Sequence, residues 1–151
     1  MLFTSATFLF YFLPIVLIIN WCSPKSFRNY TLLISSLVFY IWGEGEFVIL
    51  MLTSIVLNYI FGVLIYDSKR NSNLYLAIGV IINIFLLTYF KYFNFLTLQF
   101  GIETKPIHLA VGISFFTFQG LSYLVDVSRN HKLYQSNITK LGLYISLFPQ
   151  L

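Results

Sequence analysis

Few residues in this chain have side chains that could do chemistry. Glu44 and Glu46 stand two apart, His108 and His131 are the only histidines, Cys22 is the only cysteine, and Gln119 lies deep in an apolar run. Two nearby carboxylates can divide acid and base roles, and a histidine can move a proton near neutral pH. The settings argue for blander roles. Glu44 and Glu46 fall in the glycine-flanked turn after Trp42, His131 sits beside Lys132 in a basic loop, and His108 follows Pro106 near a membrane end. Cys22 has no partner for an internal disulfide and no small residues before it that would suit lipidation, so it reads as a lone buried thiol. No metal-ligand cluster and no phosphate-cradling glycine loop appears. Gln119 is different, because an amide about fourteen residues into a 20-residue uncharged run needs partners that hydrocarbon cannot supply.

The elements that must position these residues follow from charge. Of 151 residues, 9 are Lys or Arg and 5 are Asp or Glu, so 9% are charged against about 25% in an ordinary soluble domain. Hydrophobic residues make up 58% and mean hydropathy is +0.82. A water-facing shell cannot be built from this composition, so the surroundings are mostly lipid. Segments 1–24, 47–66, 71–90 and 106–125 carry no charge, and each is at least 20 residues long, enough for a helix to cross a ~30 Å hydrocarbon core. A fifth run, 29–43, is a short span, and the last run, 141–151, is too short to cross alone. The expected architecture is an all-α polytopic membrane domain with spans near 3–22, 28–43, 47–66, 72–90, 107–125 and an incomplete 138–151. Continuous apolar runs without alternation disfavour a membrane β-barrel. With the N-terminus outside, seven of the nine basic residues fall on the cytoplasmic side, as the positive-inside rule asks. The net charge of +4 then reflects contact with anionic headgroups, and no dense basic run suits nucleic acid.

The helices carry polar stripes. Ser54, Asn58 and Gly62 recur every fourth residue, Gly79 and Asn83 repeat that spacing, and His108, Gly112, Phe115, Gln119, Ser122 and Asp126 share an arc of about 80°. The first two stripes read as helix-packing faces, where small and amide side chains let helices approach. The third could also wall a polar cavity. Tyr89, Phe90, Tyr92, Phe93 and Phe95 around Lys91 and Asn94 suit an anchor at the headgroup boundary.

In order along the chain stand FLFYFLP at 8–14, RNY at 28–30, SLVFYIWGE at 36–44 and SIVLNYIFG at 54–62. FKYFNF at 90–95, VGISFFTFQ at 111–119, LSY at 121–123 with Asp126 and Arg129, and YISLFPQL at 144–151 complete the series. Together these resemble the N-terminal part of the membrane-bound O-acyltransferase family, nearest to the bacterial alginate O-acetylation proteins, with the D-alanyl transfer proteins of teichoic acid modification more distant. The resemblance implies a multi-pass protein of the bacterial cytoplasmic membrane. It would take an acyl group, expected to be acetyl, from a cytoplasmic thioester such as acetyl-CoA and deliver it to hydroxyls of an extracytoplasmic polysaccharide. An extracytoplasmic esterase-like partner protein would complete the transfer, and the other partners are the lipid bilayer and the glycan. Under the resemblance Ser114, Thr117, Gln119, Ser122 and Tyr123 would line or support the transfer route, with none of them catalytic and no metal required. The family's base is a histidine well downstream of the Phe-Pro-Gln-Leu stretch, and neither His108 nor His131 stands in that motif. The chain therefore reads as a fragment, inactive alone. A non-catalytic scaffold pairing with a separately encoded second half shares every one of these features. A small channel or transporter fits less well, since it would place ionisable residues deep within the spans.

Overall fold

The computed structural model describes residues 7–25, 27–68, 70–99 and 112–147, and all regular structure among them is helical. Among the described residues six α-helices follow in order: α1 Leu13–Cys22, α2 Arg28–Glu44, α3 Val48–Asp67, α4 Ser72–Gln99, α5 Ile113–Arg129 and α6 Ile138–Ser146. His108, residues 107–111 of the fifth expected span, 148–151 of the sixth, 3–6 of the first, and Lys69 lie outside the described residues.

Local chemistry sets the boundaries. Phe8–Phe12 forms a wide π-helical turn in which the Leu13 N–H donates to the Phe8 carbonyl. Pro14 follows directly, and its ring would crowd the carbonyl four residues back while offering no N–H, so the ladder is widened just ahead of it. Gly45 ends α2 with φ of 56°, and a 3-10 turn over Gly45–Phe47 leads into α3. Gly112 opens α5 at φ of 82°, in the left-handed region that side chains with a Cβ avoid. Asn137 caps α6 by accepting from the Thr139 N–H at 2.9 Å.

Two boundaries differ from expectation. The fourth helix runs to Gln99 instead of stopping near residue 90, because nothing between Val80 and Gln99 breaks it: residues 80–99 contain neither Gly nor Pro. Lys91 lies nineteen residues past Ser72, about 29 Å along the axis, so the charge stands one hydrocarbon thickness from the helix start. The sixth helix ends at Ser146, short of the expected 151. Its last turn meets a Leu147 in extended conformation ahead of Pro149, and a residue run leading to proline is biased away from helix.

Helices α3, α4 and α5 pack mutually, α6 lies on α2 and α3, and α1 leans on α2. The main core joins Met51, Ile55 and Ile65 of α3 to Phe116, Leu124 and Val127 of α5 and Leu141 and Ile145 of α6. A separate aromatic cluster holds α1 to α2, with the Phe8 and Phe39 rings 5.0 Å apart and Phe12 against both. The outside is apolar as well: Trp21, Phe10, Ile49, Ile81 and Phe85 are all well exposed. Two helical stretches, Arg28–Asp67, which includes the break at Gly45, and Ser72–Tyr92, are long and apolar enough to cross a membrane, and Phe8–Cys22 is a shorter apolar segment. Cys22, expected to be buried, is exposed, because it ends α1 and only one side of that helix meets α2.

Candidate functional site

The centre of the bundle is an amide pair. Asn58 of α3 and Asn83 of α4 are 0% and 2% exposed and face each other, each Nδ2 donating to the other's Oδ1 at 3.1 Å. The second hydrogen of each amide goes to its own helix, Asn58 to the Ser54 carbonyl and Asn83 to the Gly79 carbonyl, both at 2.8 Å. Every polar hydrogen of the pair is thus used, which is what burial of two carboxamides requires. The glycines make the approach possible. A Cβ on Gly120 of α5 would fall on the Asn58 amide, one on Gly62 would stand 2.6 Å from the Tyr123 hydroxyl, and one on Gly79 would stand 2.8 Å from Leu124. Ser54, Asn58, Gly62, Gly79 and Asn83 therefore sit at the junction of α3, α4 and α5, and the two amides have no hydrogen left for a ligand.

The polar residues of α5 do not converge. Its buried face is Ile113, Phe116, Thr117, Gly120, Tyr123, Leu124 and Val127, whereas Phe115, Ser122 and Asp126 of the 80° arc are exposed and Gln119 is half-buried. Among the expected route residues, Thr117 and Tyr123 point into the bundle, Ser114 and Gln119 lie at its margin, and Ser122 faces outward. Ser114 and Tyr123 are nine residues apart, about 13.5 Å along the helix, so these groups are spread along and around α5 and do not share one pocket. In the first turn of α5 the Lys91 ammonium donates to the Ser114 hydroxyl at 2.9 Å and lies 5.7 Å from the Tyr92 ring. The contact adds a link to Lys91 beyond anchoring, and it joins α4 to α5 on the two sides of the segment 100–111.

At the other end a cleft of about 240 Å³ opens between the last turn of α5, the loop after it and α6, lined in part by Tyr123, Asp126, Gln135, Lys140, Leu141 and Tyr144. Tyrosines fix its shape. Tyr59 donates to the Ser136 carbonyl at 3.0 Å, the Gln135 N–H donates to the Tyr123 hydroxyl at 3.3 Å, and Tyr66 stacks on Tyr134 with ring centroids 4.4 Å apart. Partial burial, with Tyr59 close by, holds the Tyr134 phenol above its ordinary value of 10.0. His131 is exposed and meets the edge of Tyr66 at 6.2 Å. Nothing in the one-dimensional pattern marked Tyr59, Tyr66, Tyr134 or Gln135, because 77 residues separate Tyr59 from the Ser136 it holds.

The remaining candidates are scattered. Glu44 is half-buried and Glu46 exposed on the turn between α2 and α3, and one Glu44 carboxylate oxygen is shielded without a hydrogen bond. Among the described residues no group of three or more His, Cys, Asp or Glu could hold a metal ion. A second, apolar groove of about 160 Å³ runs between α2, α3 and α6 past Leu33, Leu37, Ile55 and Gly142.

Known proteins are similar to this chain along its whole length. One relative, named "Probable alginate O-acetylase", from Pseudomonas aeruginosa, is 35% identical across 100% of the chain, which covers 32% of that relative. The protein of the same name from Azotobacter vinelandii is also 35% identical across the whole chain, with 33% of it covered. A peptidoglycan O-acetyltransferase of Helicobacter pylori is 28% identical across the whole chain, with 36% covered. The chain thus spans about a third of the length of the curated relatives it matches. No family model matches it, and no solved structure matches it.

Proposed function

We propose that the chain belongs to the family of these alginate O-acetylases, the membrane-bound O-acyltransferases, and forms part of an O-acetyltransferase embedded in the bacterial cytoplasmic membrane. Five spans and part of a sixth, the N-terminus outside, bring the loops after α1, α3 and α5 to the cytoplasmic face. The acetyl donor is a cytoplasmic thioester, acetyl-CoA or another acyl thioester. The acceptor is a hydroxyl of an extracytoplasmic glycan such as alginate or another envelope polysaccharide, with an extracytoplasmic esterase-like protein as partner. The observation that carries this reading is identity at the 35% level over the entire chain to proteins named for that reaction. The apolar exterior and the loop charges support the membrane placement.

In this role the Asn58–Asn83 knot keeps α3, α4 and α5 at fixed spacing. Ser114, Thr117, Gln119, Ser122 and Tyr123, spread along and around α5, line or support the acyl route. A thioester and a hydroxyl react best away from bulk water, between a base and donors aimed at the developing oxyanion. The 151 residues supply scaffold and route support, while neither His108 nor His131 stands where the family's base would.

The test is a chimera in which this chain replaces the matching third of the Pseudomonas aeruginosa relative, expressed in a strain lacking that relative. The expected result is restored acetyl ester on secreted alginate. A chimera that reaches the membrane at the parent's level but leaves alginate unacetylated, while the parent restores it, would overturn the reading.

A further inference from the structure

We propose that the cleft between the end of α5 and the start of α6 binds a zwitterionic phosphate–ammonium group, the phosphoethanolamine headgroup of a membrane lipid. The lipid source rests on the membrane placement proposed above; the headgroup chemistry rests on the cleft itself. Asp126 brings a carboxylate and Lys140 an ammonium to one concavity of about 240 Å³. A purely anionic group entering there meets the carboxylate, and a purely cationic one meets the ammonium, so a ligand carrying both charges is favoured. The Lys140 ammonium would take the phosphate and Asp126 the ligand ammonium.

Tyr123 forms a rigid floor. It is 6% exposed, lies close over Gly62, and its oxygen accepts the Gln135 N–H while its own hydrogen can still be donated to a phosphate oxygen. The size also discriminates, since the cleft falls below the ~300–1,000 Å³ typical of sites for drug-sized ligands and is too small for a whole nucleotide-bearing thioester. Asp126 lies in the last turn of α5 and Lys140 in the first turn of α6, where both helices meet the expected cytoplasmic boundary, the depth of lipid phosphates. Leu141 gives the cleft an apolar side that the glycerol end of a lipid could follow.

The experiment uses the full chain in detergent and in nanodiscs, with short-chain phosphatidylethanolamine, short-chain phosphatidylglycerol and free phosphoethanolamine as probes, and reads retention by native mass spectrometry. The wild type should keep phosphatidylethanolamine roughly fivefold better than phosphatidylglycerol, the discrimination that one screened charge pair can supply. Asp126→Asn should bring that ratio close to one, and Lys140→Gln should weaken both lipids. Both changes are at exposed positions, so folding is not at risk. Free phosphoethanolamine should compete, more weakly than the lipid if the chains also contribute and equally if a soluble ligand is the source. Equal retention of the two lipids by the wild type, or a ratio unmoved by Asp126→Asn, would overturn the site. Failure of the chain to enter nanodiscs would overturn the membrane placement instead, and binding of free phosphoethanolamine in detergent would still decide the cleft.

Discussion

Replacing Asn83 by Leu tests the amide knot at its most exposed assumption, that the two carboxamides depend on each other. The change removes two interhelical hydrogen bonds of 3.1 Å and leaves the Asn58 Oδ1 and one of its amide hydrogens without partners at a fully buried position. In a water-soluble core two such orphans would cost about 2–6 kcal/mol. Between membrane helices the cost is smaller, because the dissociated helices also find partners, and interhelical bonds there average about 0.6 kcal/mol with a maximum near 1.7. Two bonds then give a loss of about 1–3 kcal/mol for Asn83→Leu. Asn58→Leu adds a packing term, since its side chain lies against Gly120, but that term enters both limbs of a double-mutant cycle and cancels. The double variant should therefore lose less than the sum of the single losses, with a coupling of about 1–2 kcal/mol. Unfolding of the full chain in mixed micelles with rising detergent denaturant, followed by circular dichroism, reads all four species. Additive losses, with coupling inside the ~0.3–0.5 kcal/mol expected of independent sites, would refute the idea that the pair joins α3 to α4.

Gly120→Ala should cost about 1–3 kcal/mol by overpacking the Asn58 amide, and Asn58→Ala should relieve much of that loss in the same unfolding assay. Gly112→Ala should cost about 1–2 kcal/mol, because φ of 82° is left-handed, and Gly112→Asn should cost less; thermal unfolding in detergent compares them. The raised Tyr134 phenol keeps its proton longer in the folded chain, so its contribution to stability is complete below the ordinary value of 10.0 and fades as pH rises through the raised folded value. Comparison of wild type with Tyr134→Phe by ultraviolet titration and alkaline unfolding should show one late-titrating phenol missing and a shallower loss of stability above pH 10.0. The purified chain in liposomes should transfer no acetyl from an acyl thioester; transfer that disappears in Gln119→Leu would contradict its proposed role as scaffold and route support.

The stripe spacing made part of the central contact legible. Ser54, Asn58 and Gly62 recur at four, as do Gly79 and Asn83, and a four-residue repeat keeps side chains on one helix face whatever the helix later meets. The stripe of α5 was legible as a stripe but not in its direction. Phe115, Ser122 and Asp126 turn outward while Thr117, Gly120 and Tyr123 turn inward, because in lipid an apolar face gains nothing by burial over a small one, and close fit decides which side meets α3 and α4. The cleft was not legible at all, since it depends on Tyr59 reaching Ser136 and on Tyr66 meeting Tyr134.

By itself, the sequence determined that the chain is helical and apolar, where its charges lie, and which known proteins it is similar to. These are properties of composition, of local period and of residue order, and each is complete in one dimension. Only the tertiary structure decided that Asn58 and Asn83 saturate each other, that Lys91 reaches Ser114, and that Asp126 and Lys140 share a cleft. Those outcomes are distances between residues 14 to 25 positions apart, set by how glycine-sized gaps let helices close, and no periodicity in the sequence encodes which gap receives which side chain.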